Sequence, residues 1–562
     1  MISSSCWVPR GYASEFPEKY ELDDAEMERI SQMANLELND AEEELNVAEK
    51  KQTEDNKIKA QIEIDDDLKE YDLENYDEDD KAEGVAVSMF PGLSSTDAKY
   101  HQEGEESDPY LSLPTETDVQ EEKQESQIYP SDNLVLATRT EDDISYLDVY
   151  VYDDGAGAPK GSNDDDIDDD IAKGYVRDSN LYIHHDIMLP AFPLCVEWIN
   201  FRPGSEGDAN NIGNFAAVGT FDPQIEIWNL DYVDKAFPDL ILGEPQGNPL
   251  GSLSKSKKKK KKLQHVTSHH TDAVLSIAHN KLQRSILAST SADKTLKLWD
   301  LNNGIAVRSL KSIHESKVVS SSQWHLEEES LILTGGYDGY SALTDVRIAD
   351  ELAMSKKYKV SPGEEVENVR WGSSSEMFYA GTDNGNVYCF DVRNEERPLW
   401  TLHAHDSGIS SLDINLNIPG LVVTSAMNDK VVKLWKCPDQ SQAGGPSMVL
   451  SRDLGVGNVL SSSFAGDIEV AGNLVVGGAS GTLKMLDVLS NKSIRNTFRQ
   501  LIKSLQLRAR EVAKELGKVS RIARKYLNDE ESEILMSVEA GDYDDESDAD
   551  GDDLNNDMEE DD

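Results

Sequence analysis

LASTSADKTLKLWD, running from Leu287 to Asp300, is the stretch whose reading decides the fold. Two short apolar runs flank a tight polar turn, the signature of strand, hairpin and strand. The same shape returns in VVTSAMNDKVVKLWK (Val422 to Lys436) and AAVGTFDPQIEIWN (Ala216 to Asn229). Weaker copies are ILTGGYDGYSALTD (Ile332 to Asp345), YAGTDNGNVYCFD (Tyr379 to Asp391) and VVGGASGTLKMLD (Val475 to Asp487), and a seventh is LVLATRTEDDISYLDVYVYD (Leu134 to Asp153). Self-similarity of this kind marks a repeat architecture.

Working outward, each hairpin is preceded by another alternating run that often ends in an aromatic: LCVEWI (Leu194 to Ile199), VSSSQWH (Val319 to His325), VENVRWG (Val366 to Gly372) and LSSSFAG (Leu460 to Gly466). After most hairpins a further run follows, such as AVRSLKSIH (Ala306 to His314) and PLWTLHAH (Pro398 to His405). Four antiparallel strands per repeat, with a Trp-Asp type ending, make the blade of a β-propeller. The expected fold is therefore all-β, a propeller of seven blades. The first blade lacks an inner strand until ISSSCW (Ile2 to Trp7) is set beside VSSSQW (Val319 to Trp324). Residues 1–8 are accordingly read as strand a of blade one, which closes a ring that would otherwise leave open strand edges.

The remaining divisions follow from composition. Residues 9–129 read as an acidic disordered insertion, 130–498 as the propeller with loops at 154–173 and 241–264, 499–527 as a basic helical arm, and 528–562 as an acidic disordered tail. The chain has 562 residues, 38% of them hydrophobic, and a formal net charge of -54. Such a field disfavours nucleic acid except at local basic patches and favours basic partners. Cys6, Cys195, Cys389 and Cys437 are widely spaced, so neither a disulfide framework nor a zinc site is expected. The sequence has no signal-peptide pattern or long apolar run, which points to a soluble protein without a membrane partner. No nucleotide, cofactor or small-molecule signature is present.

Two sets of residues suggest a buried polar tetrad: His270, Ser289, Asp293 and Trp299, and again His405, Ser425, Asp429 and Trp435. A Ser-His-Asp set also suggests a hydrolase. Its recurrence favours the structural reading, because buried polar groups need partners. Thr344, Phe390 and Leu486 stand where other blades would carry the Trp. Trp7, Trp198, Trp324 and Trp371 each end an inner strand and read as core packing.

Outside the repeats, Lys257, Lys258, Lys259, Lys260, Lys261 and Lys262 form a basic run that reads as a nuclear import signal or as a plain solvated loop. Beyond Phe498 the apolar period lengthens to steps of four and three through Ile502, Leu505, Ala509, Val512 and Leu516, an amphipathic helix. Its cations include Arg508, Arg510, Lys514, Lys518, Arg521, Arg524 and Lys525, candidates for contact with RNA or a particle. In the acidic insertion, three apolar islands are candidate docking segments: Leu68, Tyr71, Leu73 and Tyr76; Phe90 and Leu93; and Tyr110 and Leu111.

Finer strings carry a family likeness. CWVPRG from Cys6, FPEKYELDD from Phe16, IDDDLKEYDLENYDED from Ile64 and SMFPGL from Ser88 are followed by YPSDNLVLATRTEDDISYLDVYVYDDG from Tyr129. HHDIMLPAFPLCVEW from His184, GTFDPQIEIWNLD from Gly219 and SRIARKY from Ser520 complete the set. With them the chain resembles the first member of the eukaryotic periodic tryptophan protein family, nucleolar proteins built on WD repeats. The resemblance implies a non-enzymatic scaffold in early large-subunit ribosome assembly and pre-rRNA processing. Its partners would be the pre-ribosomal particle, with its ribosomal proteins, assembly factors and pre-rRNA, and its location the nucleus and nucleolus. The alternative is a chromatin reader that binds histone tails at ribosomal DNA.

Overall fold

The computed structural model describes residues 1–20, 123, 126–155, 179–204, 211–243, 265–351, 353–438, 444–515, 520–523, 525 and 535–538. One unit comprises Met1–Tyr20, Glu125–Gln246 and Ser256–Asp562; a second, Glu21–Gln124 with Gly247–Lys255, lies outside the described residues apart from Lys123.

The first unit is a seven-bladed propeller, each blade an antiparallel sheet of four strands. Blade 3 shows the plan: Val274–His279, Ile286–Ser291, Leu296–Asp300 and Ile305–Leu310, from the axis outward. Its second and third strands pair from Leu287 opposite Trp299 to Thr290 opposite Leu296. Second strands lie sandwiched between neighbouring blades, so they read as continuous small or branched apolar runs, and all six residues of Leu421–Ala426 are buried. Inner strands begin at Ile2, Pro193, Val274, Val319, Val366, Ile409 and Val459, and every one has its register broken between its first and third residues. That bulge re-aims the second residue. In three blades a serine there reaches the neighbouring blade: Ser3 donates to the Pro193 carbonyl at 2.8 Å, Ser320 to Val366 at 2.6 Å and Ser410 to Val459 at 2.6 Å.

One packing contact recurs at the blade joints. A second-strand glycine receives the first residue of the next inner strand so closely that a side chain would collide. A β-carbon on Gly219 would lie 2.9 Å from Val274 Cγ1, one on Gly335 2.7 Å from Val366 Cγ1, and one on Gly381 3.0 Å from Ile409 Cγ2. At the ring seam Gly477 makes the same joint with Ile2, at 2.5 Å from its Cγ2. Ile2–Val8 thus enters blade 1 as any inner strand enters its blade. It pairs with Asn133–Glu141, followed outward by Ile144–Asp153 and Asn180–Leu189. The Trp7 indole N–H donates to the Ser463 carbonyl of blade 7 at 3.1 Å, and Ser5 and Ser461 share a hydroxyl hydrogen bond of 2.8 Å.

The structure moves several of these boundaries. Residues 9–20 do not belong to the insertion: Tyr12 packs edge-on against Trp198 with centroids 4.7 Å apart, and Glu18–Lys19 pairs in parallel with Tyr232–Val233. The returning chain meets them, with the Ile128 N–H on the Glu15 carbonyl. Aromatic burial and backbone pairing outweigh the acidic composition here. The loop set at 241–264 begins too early, since Leu240–Leu242 is the outer strand of blade 2; likewise Asp154, at the start of the 154–173 loop, is buried and bonded to Arg10. The acidic tail contributes Leu535–Val538, the outer strand of blade 7, with Leu535 opposite Leu486 and Val538 opposite Leu483. Four apolar-alternating residues suffice once a strand edge awaits them.

Candidate functional site

The polar tetrads come first because they test the hydrolase reading. In blade 3 the Trp299 indole N–H donates to Ser289 Oγ at 2.8 Å, and Ser289 lies 2.7 Å from His270 Nε2. His270 Nδ1 faces Asp293 at 2.9 Å. Burial holds His270 below its ordinary value, so the ring is neutral. Burial alone would raise Asp293, but donation from His270, Thr295 and the Thr271 N–H holds it down at about 2. Protons therefore point one way, Trp to Ser to His to Asp, and His270, Ser289 and Trp299 are all buried. A hydroxyl so enclosed has no path to a substrate, and the set acts as a staple from the blade entry to its third strand.

In blade 6 one residue changes. His405 Nε2 meets Thr424 Oγ1 at 2.9 Å, the Trp435 indole donates to Thr424 at 2.9 Å, and Asp429 lies 2.9 Å from His405 Nδ1. Ser425, expected in this role, faces the other side of the sheet and bonds Ser410 at 3.1 Å, in the blade joint. The spacing from His is 19 residues in both blades, but the turn of blade 6 is one residue longer, so counting back from Asp429 lands on the wrong face. A third set went unread: His314 bonds Thr334 at 2.8 Å and Asp338 at 2.9 Å, with Thr344 where the Trp would be. The signal was there, a His ahead of an inner strand and an Asp in the hairpin turn. In blade 5 Glu364 replaces the histidine, accepting from Thr382 and Tyr388.

The axis is a cavity of about 520 Å³ lined by the inner strands, with serine the commonest lining residue. Glu197, Lys281, Arg370 and Asp413 stand on its wall. Burial pushes the Glu197 and Asp413 carboxyls up, opposed by Lys281 and Arg370. Glu367 and Asp467 also line the cavity, so acids outnumber bases on the wall. Among the described residues, no three His, Cys, Asp or Glu are placed to hold a metal ion.

The basic segment between the third and outer strands of blade 7 is built differently from a free arm. Helix α1, Lys492–Thr497, is capped by the Asn491 side chain, which accepts from the Ser493 N–H at 2.9 Å. Helix α2, Arg499–Glu515, buries Ile502, Leu505, Ala509 and Ala513, and with Phe498 this face joins the core of blades 6 and 7. The expected seam residue Val512 is exposed and Ala513 takes its place, because a straight helix of 3.6 residues per turn drifts off a seven-residue repeat. Docking engages much of the charge. Arg508 donates to the Asn417 carbonyl at 3.0 Å and Arg510 to the Ala523 carbonyl at 3.1 Å. Lys525 pairs with buried Asp487 at 2.6 Å, and the Arg521 backbone is held by Glu469 at 2.9 Å. Arg508, Arg510 and Lys525 are thus each bonded to the chain itself, the first two while still exposed, and at Arg521 it is the backbone N–H that is held. Lys514 remains exposed, in line with Arg499 and Lys503; their spacing sets the three on one outer stripe around exposed Leu507.

Lys518 and Arg524 lie outside the described residues, as do Lys257 to Lys262 and the docking candidates Leu68, Tyr71, Leu73, Tyr76, Phe90, Leu93, Tyr110 and Leu111. Among the described residues no helix is long and apolar enough to cross a membrane.

Comparison with known proteins agrees with this architecture. The WD domain, G-beta repeat family matches residues 261–300 and 396–436. An uncharacterized WD repeat-containing protein of Schizosaccharomyces pombe is 38% identical over 89% of this chain and 91% of its own. A periodic tryptophan protein 1 homolog of Drosophila melanogaster is 32% identical over 77% of this chain and 83% of its own. Periodic tryptophan protein 1 of Saccharomyces cerevisiae is 57% identical over 96% of this chain and 97% of its own. Identity at that level across nearly the full length of both proteins means that the chain belongs to the periodic tryptophan protein 1 family of WD-repeat proteins.

Proposed function

We propose that the chain is a scaffold of early large-subunit ribosome assembly, acting in pre-rRNA processing in the nucleolus. The observation that carries this reading is the outer stripe of α2: Arg499, Lys503 and Lys514 point away from the propeller, on a chain whose net charge is -54. A rigid ring supplies placement and the docked helix supplies phosphate-directed charge. Entry to the nucleus falls to the run Lys257 to Lys262.

The test uses the full chain with Arg499, Lys503 and Lys514 changed to Glu. Cosedimentation with large-subunit precursors should fall, and fall more steeply as salt rises, while thermal unfolding stays put. Undiminished cosedimentation at every salt concentration would overturn the role of the stripe. Association with chromatin that survives RNase but not DNase would favour the alternative, a histone-tail reader at ribosomal DNA.

A further inference from the structure

One corner of the ring, where blade 1 passes into blade 2, presents apolar side chains to water. Ile144 is 45% exposed, Met188 60% and Phe221 60%. Phe221 lies against Phe192 with centroids 5.3 Å apart, and its N–H donates to the Phe192 carbonyl at 3.0 Å. Ile144 adjoins Ser145, which pairs with Leu189, and Met188 pairs with Tyr146, so Ile144 and Met188 share one end of blade 1, from which the chain passes directly through Phe192 into blade 2. None of them lines the axial cavity. Clustered aromatic and thioether groups in water are the usual anchors of a protein interface.

The frame of this patch is acid. Asp142 and Asp143 form the tip of the blade 1 hairpin at φ 44° and 71°, Asp186 shares the outward side of its strand with Met188, and Asp222 follows Phe221. Glu141 is paired with Arg139 at 2.7 Å, but no ion pair among the described residues engages the other four. Carboxylates beside apolar anchors disfavour RNA, an anionic membrane or a second copy of so acidic a chain. They favour a cationic polypeptide.

We propose that this corner docks an extended basic segment of a partner protein. An apolar side chain seats against Phe192, Phe221 and Met188, while flanking lysines or arginines face Asp142, Asp143, Asp186 and Asp222. The proposal goes beyond the ribosomal reading, because it holds for any basic partner and leaves α2 untouched.

Two measurements on the full chain test it. The first uses a labelled synthetic peptide of lysines around one leucine, with oligo-uridine RNA as competitor. The double variant Phe221→Ala, Met188→Ala should bind the peptide about tenfold more weakly at every salt concentration, the size of a hot-spot loss. Asp142→Asn with Asp143→Asn, which tolerates the same positive φ, should weaken binding chiefly at low salt. Both should melt as the parent does, since the changed side chains are exposed. Parent-like peptide affinity in the Phe221 and Met188 variant, or displacement of the peptide by the RNA, overturns the proposal. The second places a photo-crosslinking phenylalanine analogue at residue 221 in cells. A crosslink mapped to a lysine- and arginine-rich segment of another protein, and lost when Met188→Ala is added, supports it. A crosslink to RNA, to a second copy or to the chain's own Lys257 to Lys262 overturns it.

Discussion

Blade 3 takes its strands from Val274 to Leu310 in unbroken order, whereas blade 1 joins Ile2–Val8 to Asn133–Leu189 and blade 7 joins Val459–Asp487 to Leu535–Val538. The sheets are alike, and the joint into blade 3 and the joint at the seam share a glycine that admits a branched side chain. What differs is where stability comes from. Blade 3 is stapled within itself by His270, Ser289, Asp293 and Trp299. Among the described residues the seam shows no such His-centred staple, and it depends on segments brought from both ends of the chain, with the innermost strand from one and the outermost from the other. A closed ring hides every inner edge, so the two ends are structural members of the domain.

The comparison breaks most readily at the seam. Removing residues 1–8 takes away buried Ile2 and Val8 along with Trp7, and core truncations cost about 2–5 kcal/mol each. The combined loss should exceed about 5 kcal/mol, comparable with the net stability of many domains. The truncated chain should lose its cooperative thermal transition; retention of it would show that the ring closes without its first strand. Next in size is the staple. His270→Ala leaves Ser289 and Asp293 buried without their partner and should cost about 3 kcal/mol in denaturant unfolding.

Acid gives a third probe, again within blade 3. Burial holds His279 down at about 4, while its ring Nε2–H donates to the Arg284 carbonyl at 2.8 Å. The unfolded chain takes up a proton there near pH 6.5 that the folded chain refuses until about 4, so stability falls as pH drops through that window. At pH 5 the parent should have lost about 2 kcal/mol relative to His279→Gln, as measured by the difference in their unfolding curves. Parallel curves would refute the burial argument. Asp132 and Glu226, raised to about 7 by burial, act in the opposite sense, and the paired variant cancels them.

A smaller loss is expected at the other end of the seam. Ending the chain before Leu535 exposes one four-residue edge and frees partly buried Met536, at a cost on the order of 1–2 kcal/mol. The amides of Leu483–Leu486 should then exchange faster while those of blade 3 do not. The finest distinction is in blade 6. Thr424→Val should cost about 1–2 kcal/mol and Ser425→Ala only a few tenths, and the reverse order would return Ser425 to the tetrad.

The sequence by itself determined what is local. A polar turn between two apolar runs specifies a hairpin wherever it falls, and the repetition of LASTSADKTLKLWD specifies blades, because strand alternation and turn chemistry act over a few residues. Even the first strand was legible, since ISSSCW repeats an internal pattern. The tetrad of blade 3 was legible too, whereas that of blade 6 turned on one extra turn residue. Only the tertiary structure decided which distant segments complete the ring. Nothing in LMSV marks it as a strand among acidic neighbours until the edge at Leu483–Leu486 is free to receive it. Nor does the cationic pattern after Phe498 say which charges bond back to the chain, because Arg508, Arg510 and Lys525 have partners there and Lys514 has none among the described residues. Partners brought together across hundreds of residues are chosen by closure and burial, and local periodicity carries no record of that choice.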